Sequence, residues 1–342
     1  MKVHATTPLV TVLVPAFNAE RFLRQSLESI TATTWPHCEI LVLDDGSTDS
    51  TPDIIRSFGA QVRHVRHPRN LGQFPNVEDG IARAQGKYIA VYHADDIYHP
   101  AIIEREVAYL EQHPNVGVVF CMDRFIDGSG RVKGELRLPA EVSGEQPLDF
   151  GTVLNAQLLY KNRFLRTPSS MARATVYREA GPFRASEFPV AADLEMFLRI
   201  ARKHPVAILQ EYLLHYRWGH GNADQRERMF RNCEEPFFAI IDEYLEGGGR
   251  KLVTRAALDA FEAHRNEDRL MRVIKKYIVA DAVGAKQLLS DVRPLRVARS
   301  NQVQRGRLLL LWAAMAVLTR VPRVVPFANL FFSRWHGRKT RV

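Results

Sequence analysis

The chain has 342 residues, 46% hydrophobic and 25% charged, with three cysteines and a formal net charge of +9. At roughly 150 residues per domain this is two domains' worth of ordinary globular protein, which excludes wholesale disorder, collagen and a small disulfide scaffold. Cys38, Cys121 and Cys233 are too far apart for a structural zinc site or a disulfide framework, so a reducing compartment is expected.

The charge is local. Eleven of the 47 basic residues and none of the 38 acidic ones lie from Val292 to Val342, leaving a balance of 36 against 38 before it. The basic character therefore belongs to a tail, and no nucleic-acid partner is expected of the body. No stretch reaches the about 18 uncharged apolar residues of a spanning helix. Leu9 to Phe17 has one preceding basic side chain, Lys2, and an interrupting Pro15, so it reads as a buried strand and not as the core of a signal peptide. The expected localisation is cytoplasmic.

In chain order, Val10 to Val14 is a β-branched run, followed by Asn18 as a candidate N-cap and Phe22, Leu23, Leu27 and Ile30 at helical spacing. Next come a strand from Ile40 to Leu43, a helix opened by Thr51-Pro52 as N-cap and first helical residue, and a strand near Val62 to Val65. A helix near Asn76 to Ala84, a strand from Tyr88 to Tyr92, a helix from Ala101 to Gln112 and a strand from Val116 to Phe120 complete the run. This alternation predicts an α/β fold with a mostly parallel sheet covered by helices.

After Cys121 the pattern changes. Phe125 to Gly130 reads as a hairpin turn, and the stretch to Leu165 as irregular. Helical patterns follow near Ala174 to Ala180 and Ala191 to His204, with short strands at Ala207 to Leu209 and Leu213 to Tyr216. Beyond Gln225 the chain reads as helical up to Leu289. The expected parts are therefore 1–121; 122–224; 225–291, a helical extension; and 292–342, a basic apolar tail.

Ligands of an open parallel sheet bind at the carboxyl ends of its strands. Those ends carry Pro15-Ala16-Phe17-Asn18, Asp44-Asp45-Gly46-Ser47 and Ala94-Asp95-Asp96. Two carboxylate pairs facing one cleft repel unless a cation sits between them, which points to Mg²⁺ or Mn²⁺ holding a phosphorylated substrate. The glycine-rich dinucleotide fingerprint and the P-loop are both missing, so a diphosphate has no glycine cradle.

The series Val12-Leu13-Val14-Pro15-Ala16-Phe17-Asn18, then Glu39-Ile40-Leu41-Val42-Leu43-Asp44-Asp45-Gly46-Ser47-Thr48-Asp49, then Ala84-Gln85-Gly86-Lys87-Tyr88-Ile89 running into Asp95-Asp96 resembles the family 2 glycosyltransferases of GT-A fold. The resemblance covers roughly Leu9 to Asn222. It implies an inverting transferase using a nucleotide sugar, with Pro15, Ala16, Phe17 and Asp45 at the nucleoside, Asp95 near the ribose and Asp96 on a Mn²⁺ or Mg²⁺ ion bridging the diphosphate. In the family the catalytic base is a carboxylate opening a helix of the acceptor half. Ala191-Ala192-Asp193-Leu194-Glu195 is similar to that element, which implies Asp193 as the base, with Glu195 the next candidate.

Tyr216-Arg217-Trp218-Gly219-His220-Gly221-Asn222 resembles a further family segment, implying contacts of Arg217 and His220 with the diphosphate. The sequence departs from the family pattern at His93, where an acidic residue is usual; at Val77-Glu78, where an Arg-Asn pair is common; and at Ala192, which replaces a Glu.

An Asp paired to a base N–H suits uracil N3, which makes a uridine nucleotide the leading donor, with dTDP-sugars sharing that edge. The resemblance implies a glycan or lipid-linked acceptor in surface glycan biosynthesis. A sugar nucleotidyltransferase and a non-catalytic nucleotide-sugar or glycan-binding module are the rival readings. In the tail, Leu308 to Thr319 and Val324 to Ser333 are apolar runs interleaved with arginines. They suit segments lying on an anionic membrane, at the inner face of the cell membrane. A C-terminal helix packed on the catalytic domain, or a basic arm binding nucleic acid, is the alternative.

Overall fold

The computed structural model describes residues 7–144, 146–219, 233–278, 281–292 and 302–318. The chain forms two compact units, Met1–Asn222 and Ala223–Val342.

In the first unit the described residues build one nine-stranded sheet. Its strands are β1 (Val10–Ala16), β2 (Cys38–Asp44), β3 (Arg63–Arg66), β4 (Tyr88–Val91), β5 (Ile97–Tyr98), β6 (Val118–Ile126), β7 (Val132–Glu135), β8 (Ser170–Arg173) and β9 (Val206–Arg217). The order is β3-β2-β1-β4-β8-β6-β9-β5, with β7 paired to β6. β3, β2, β1 and β4 are all parallel, as the βαβ pattern requires, whereas β8 runs antiparallel between β4 and β6. The half of the sheet built from β3, β2, β1 and β4 is thus wholly parallel and the other half mixed.

Both faces are covered. On one, Val10, Val12 and Val14 meet Leu23, Leu27 and Ile30 of α1 (Leu23–Thr31), Ile55 of α2 (Thr51–Ser57) and Ile103, Val107 and Leu110 of α4 (Ile102–Gln112) in one buried cluster. On the other lies α3 (Gln73–Arg83), where a Cβ on Gly80 would stand 2.5 Å from Leu43 Cδ1. Only glycine lets that helix lie so close to the sheet.

Several elements differ from the sequence reading, each for a local reason. Asn18 does not cap α1; it sits at φ +46°, and its Oδ1 accepts from Thr48 N at 2.9 Å, lacing the loop after β1 to the loop after β2. The N-cap of α2 is Ser50, so Thr51 and Pro52 lie inside the first turn. The stretch to Leu165 is not irregular throughout, because α5 (Phe150–Tyr160) forms behind Asp149, whose side chain accepts from Thr152 N. Val153, Leu154, Ala156, Gln157 and Leu158 are all buried there, leaving no amphipathic stripe to read. The two short strands near residue 210 are one, β9, and its polar Gln210-Glu211 falls where the register against β6 shifts. The Phe125–Gly130 turn does close a hairpin, β6 to β7. α6 (Ala174–Ala180) and α7 (Ala192–Ala201) lie where their patterns predict.

The second unit is helical where described: α8 (Pro236–Glu246), α9 (Arg255–Ile278), α10 (Ala282–Ser290) and α11 (Gln302–Leu318). α11 contains the first apolar run of the tail. It buries Leu311 and Met315 against Leu270, Val273, Ile274, Tyr277, Ala285 and Leu289, while Leu310 and Val317 are 73% and 62% exposed. No described helix is long and apolar enough to cross a membrane. The second apolar run, Val324 to Ser333, lies outside the described residues.

Candidate active site

The ladder between β1 and β4 ends at Leu13 and Val91, while β1 stays paired with β2 as far as Ala16 and Asp44. Pro15, which has no N–H to give, falls just past that point, and the sheet opens into a crevice where β4 lies on one side of β1 and β2 on the other.

On the β2 side the polar groups are paired. The buried Asp44 carboxylate accepts from Ser47 N at 2.9 Å and lies 3.3 Å from both His64 Nε2 and Arg66 Nε. Asp45, also buried, points the other way: its oxygens accept from Leu71 N at 2.7 Å and Gly72 N at 2.9 Å, two donors ahead of α3. Gly46 is required beside it, because at φ +73° a Cβ would lie 2.8 Å from the backbone of Arg69. Each carboxylate oxygen of Asp45 retains one lone pair for a further donor. Phe17 projects from the same rim and is 49% exposed, a platform and not a core aromatic. Pro15 and Ala16 supply the strand end beneath it.

On the β4 side the groups are not all paired. Asp96 is fully buried, and its Oδ1 accepts from Arg217 N at 2.7 Å, while Oδ2 has no hydrogen-bond partner. Burial, reinforced by Asp95, holds its carboxyl well above the ordinary carboxylate range, with the Arg217 N–H opposing. His93 Nε2 is likewise buried without a partner. Burial pushes the imidazole pKa down, against the pull of Asp95 and Asp193. Ligand atoms of His93, Asp95 and Asp96 lie within 4.8 Å of one another. Asp96 Oδ2 and His93 Nε2, without a hydrogen-bond partner among the described residues and close to the Asp95 carboxylate, are ligand atoms that fit a divalent cation.

The loop carrying these groups is fixed by β5, whose Ile97 and Tyr98 pair with His215 and Leu214 of β9. Arg217 ends β9 and is buried. Its Nε, Nη1 and Nη2 donate to Asp95 O, Asp127 O and Gln25 Oε1, and its guanidinium lies 4.4 Å from the Phe22 ring centroid. It is thus a tie beneath the Asp95-Asp96 turn that adds positive charge from below, and its fork is not presented to a ligand. His220 lies outside the described residues.

Asp193 occupies the first turn of α7. Its Oδ2 accepts from Thr167 Oγ1 at 2.9 Å and its Oδ1 from Leu194 N at 2.8 Å. Burial raises its pKa, and those two donors and His93 pull it back. Asp193 and His93 are therefore near enough for each to shift the other's titration. Glu195 does not join them: it is buried, with Arg199 Nη2 at 2.8 Å and Arg184 Nη1 at 3.6 Å. Glu78, at the departure after the Asn70-Leu71-Gly72 loop, accepts from Phe183 N at 2.6 Å and is structural.

Three groups were not singled out from the sequence. Thr167 belongs to no motif and is found only through its bond to Asp193. Asp123 on β6 is fully buried, close enough to raise the pKa of Asp96, and has only Arg166 Nε at 3.4 Å against it. Arg166 itself lies over the rings of Phe125 and Tyr216 at 5.2 and 5.0 Å. Their sequence signal is weak, since the contacts join residues 26 to 50 positions apart.

The match to known proteins agrees with this geometry. An uncharacterized glycosyltransferase of Haemophilus influenzae is 30% identical over 219 residues, 63% of this chain and 67% of that protein. An uncharacterized protein of Mycobacterium bovis is 25% identical over 285 residues, 80% and 74% of the two chains. Among solved structures, Staphylococcus aureus TarS 1-349 in complex with UDP superposes with a TM-score of 0.60 at 16% identity, covering 95% of this chain and 91% of that one, a likeness of fold. The description of glycosyl transferase family 2 matches residues 11–181, half the sequence, and with the parallel half-sheet and its crevice this makes the chain a family 2 glycosyltransferase of GT-A fold.

Proposed function

We propose that the enzyme transfers a sugar, with inversion, from a nucleoside diphosphate to a hydroxyl of a glycan or lipid-linked acceptor, in surface glycan biosynthesis. The observation that carries the reading is the cluster of His93, Asp95 and Asp96 at the strand end, with Asp193 near enough to His93 to shift its titration. UDP is the leading donor base: Phe17 offers a face for it and the remaining lone pairs of Asp45 an acceptor for uracil N3–H. UDP and UDP-GlcNAc are bound by the structurally similar TarS, which supports a uridine donor here.

Mn²⁺ or Mg²⁺, held through Asp96 beside Asp95, would neutralise the diphosphate and its growing charge. The chain's own part is positional. Pro15, Ala16, Phe17 and Asp45 seat the nucleoside, and Asp95 lies toward the ribose. Arg217 holds the Asp95-Asp96 turn and adds positive charge near the phosphates. Asp193, kept in one orientation by Thr167 and Leu194 N, takes the acceptor's hydroxyl proton. The freed oxygen bonds to the anomeric carbon from the face opposite the diphosphate. The anomeric C–O bond breaks, and its electron pair leaves with the nucleotide. His220 is assigned to the diphosphate.

Release of nucleoside diphosphate across a panel of sugar nucleotides, with Mn²⁺ or Mg²⁺, tests the assignment. UDP release from one uridine donor is expected, whereas pyrophosphate release or no turnover with any donor would overturn it.

The tail is assigned to an anionic membrane surface, on the cytoplasmic side. Support comes from the exposed apolar face of α11, with Leu310 and Val317, and from eleven basic residues without an acidic one after Asp291. Leu310→Asp with Val317→Asp leaves Leu311 and Met315 packed and should release the protein from anionic vesicles. Unchanged vesicle binding would contradict the anchor.

A further inference from the structure

We propose that His93 is a direct metal ligand, and that this nitrogen donor makes the site select a transition ion such as Mn²⁺ over Mg²⁺. The inference rests on the metal-dependent reading above and adds to it the identity of the ion.

Three observations converge. His93 Nε2 and Asp96 Oδ2 are both buried and both without a hydrogen-bond partner among the described residues. Leaving two such groups unpaired costs roughly 1–3 kcal/mol each, so a site that keeps them is built for something that binds both. Their spacing suits a shared ion, since ligand atoms of His93, Asp95 and Asp96 all fall within 4.8 Å of one another.

The imidazole is also held in place. His93 N donates to Tyr98 Oη at 2.6 Å, and His93 O accepts from Ser26 Oγ at 2.9 Å. The Tyr98 ring in turn stacks on Tyr92 with centroids 4.1 Å apart. With its backbone pinned at both ends and its Nε2 buried, His93 is carried at a fixed place beside Asp95 and Asp96.

The donor set decides the ion. Mg²⁺ is a hard ion that prefers an all-oxygen octahedron and gives up its waters reluctantly. Exchanging one oxygen for an imidazole nitrogen favours first-row transition ions, whose affinity for nitrogen rises along the series from Mn²⁺.

The test uses the full-length protein with UDP and either MnCl₂ or MgCl₂. Calorimetry should show UDP bound about tenfold tighter with Mn²⁺ than with Mg²⁺, and H93Q, which offers an amide oxygen in place of Nε2, should bring the two within about threefold. Electron spin-echo spectra of the Mn²⁺·UDP complex should carry histidine nitrogen modulation that changes with ¹⁵N-histidine labelling and is missing in H93Q.

Labelling leaves the protein unaltered, so this readout stands even if H93Q folds poorly. A complex that binds Mn²⁺ and UDP but shows no histidine nitrogen, or an H93Q that keeps the parent's Mn²⁺ preference, overturns the His93 assignment alone. Failure to bind UDP with either metal overturns the metal-nucleotide reading and this proposal with it.

Discussion

The two carboxylate turns of the crevice look alike in sequence and differ in how they are satisfied. Asp45 has both oxygens on backbone N–H groups of the Leu71-Gly72 loop, and Asp44 is met by Ser47 N, His64 and Arg66. Asp96 has one oxygen on Arg217 N and the other on nothing, with His93 Nε2 equally bare. A satisfied carboxylate lowers the free energy of the fold and shapes a pocket. An unsatisfied one raises it, and persists where a ligand supplies the missing partner.

That contrast is broken most forcefully at Asp96. Asp96→Asn should lower transfer by at least about 10³-fold, since several kcal/mol of charge stabilisation is lost with the metal. The metal-free variant should melt no lower than the parent, because the amide removes a buried charge. A clear drop in melting temperature, read by calorimetry, would place Asp96 among the structural carboxylates instead.

Asp193 comes next. Asp193→Asn should reduce turnover by about 10²–10⁴ while UDP affinity stays within about twofold. Its raised pKa puts the acid limb of the rate above the ordinary carboxylate range near 4, because only the ionised form takes a proton. Thr167→Val removes a donor that favours that form, so the limb should move to higher pH, with a larger loss at pH 6 than at pH 8. A limb that stays put would detach Thr167 from the base.

At the satisfied turn the effect is smaller and falls on stability as well as binding. Asp45→Ala strands two loop N–H groups and should cost about 1–3 kcal/mol in folding and a comparable loss in UDP affinity. Unchanged UDP binding would remove Asp45 from the base pocket.

The smallest effect lies beneath the site. Glu106 is fully buried, accepts from Tyr92 Oη at 3.2 Å and leaves Oε1 without a partner, and burial holds its pKa well above 4.5. A carboxyl whose folded pKa is raised gives its full stability below the unfolded value and loses it as pH rises. Glu106→Gln should therefore raise the melting temperature by a few degrees at pH 8 and by less at pH 4, with activity kept. A destabilised variant at pH 8 would show that the carboxylate is ionised and paired.

The parallel half of the fold was legible because its strands and helices carry their own periodicity, and Pro15, Asp45 and Asp95-Asp96 fall at strand ends fixed by it. The mixed half was less so. β8 and β5 are four and two residues long, too short for a period, and α5 buries five closely spaced residues, Gln157 among them, with no single apolar stripe. Asp193 was found through the helix it opens. The roles of Arg217, Thr167 and Asp123 were hidden, because each depends on contacts between residues remote in sequence: Arg217 looked like a phosphate ligand until its fork was seen bound to Asp95 O, Asp127 O and Gln25.

The central claim is that Asp96 holds the metal-nucleotide and Asp193 does the proton chemistry. One paired titration tests it: calorimetric binding of UDP with Mn²⁺ to the parent, Asp96→Asn and Asp193→Asn, with donor turnover measured on the same samples. The prediction is that Asp96→Asn loses metal-dependent binding and turnover together, while Asp193→Asn binds as the parent does and turns over at least about 100-fold more slowly. An Asp96→Asn protein that binds Mn²⁺ and UDP as tightly as the parent, or an Asp193→Asn protein that transfers at the parent's rate, would contradict it.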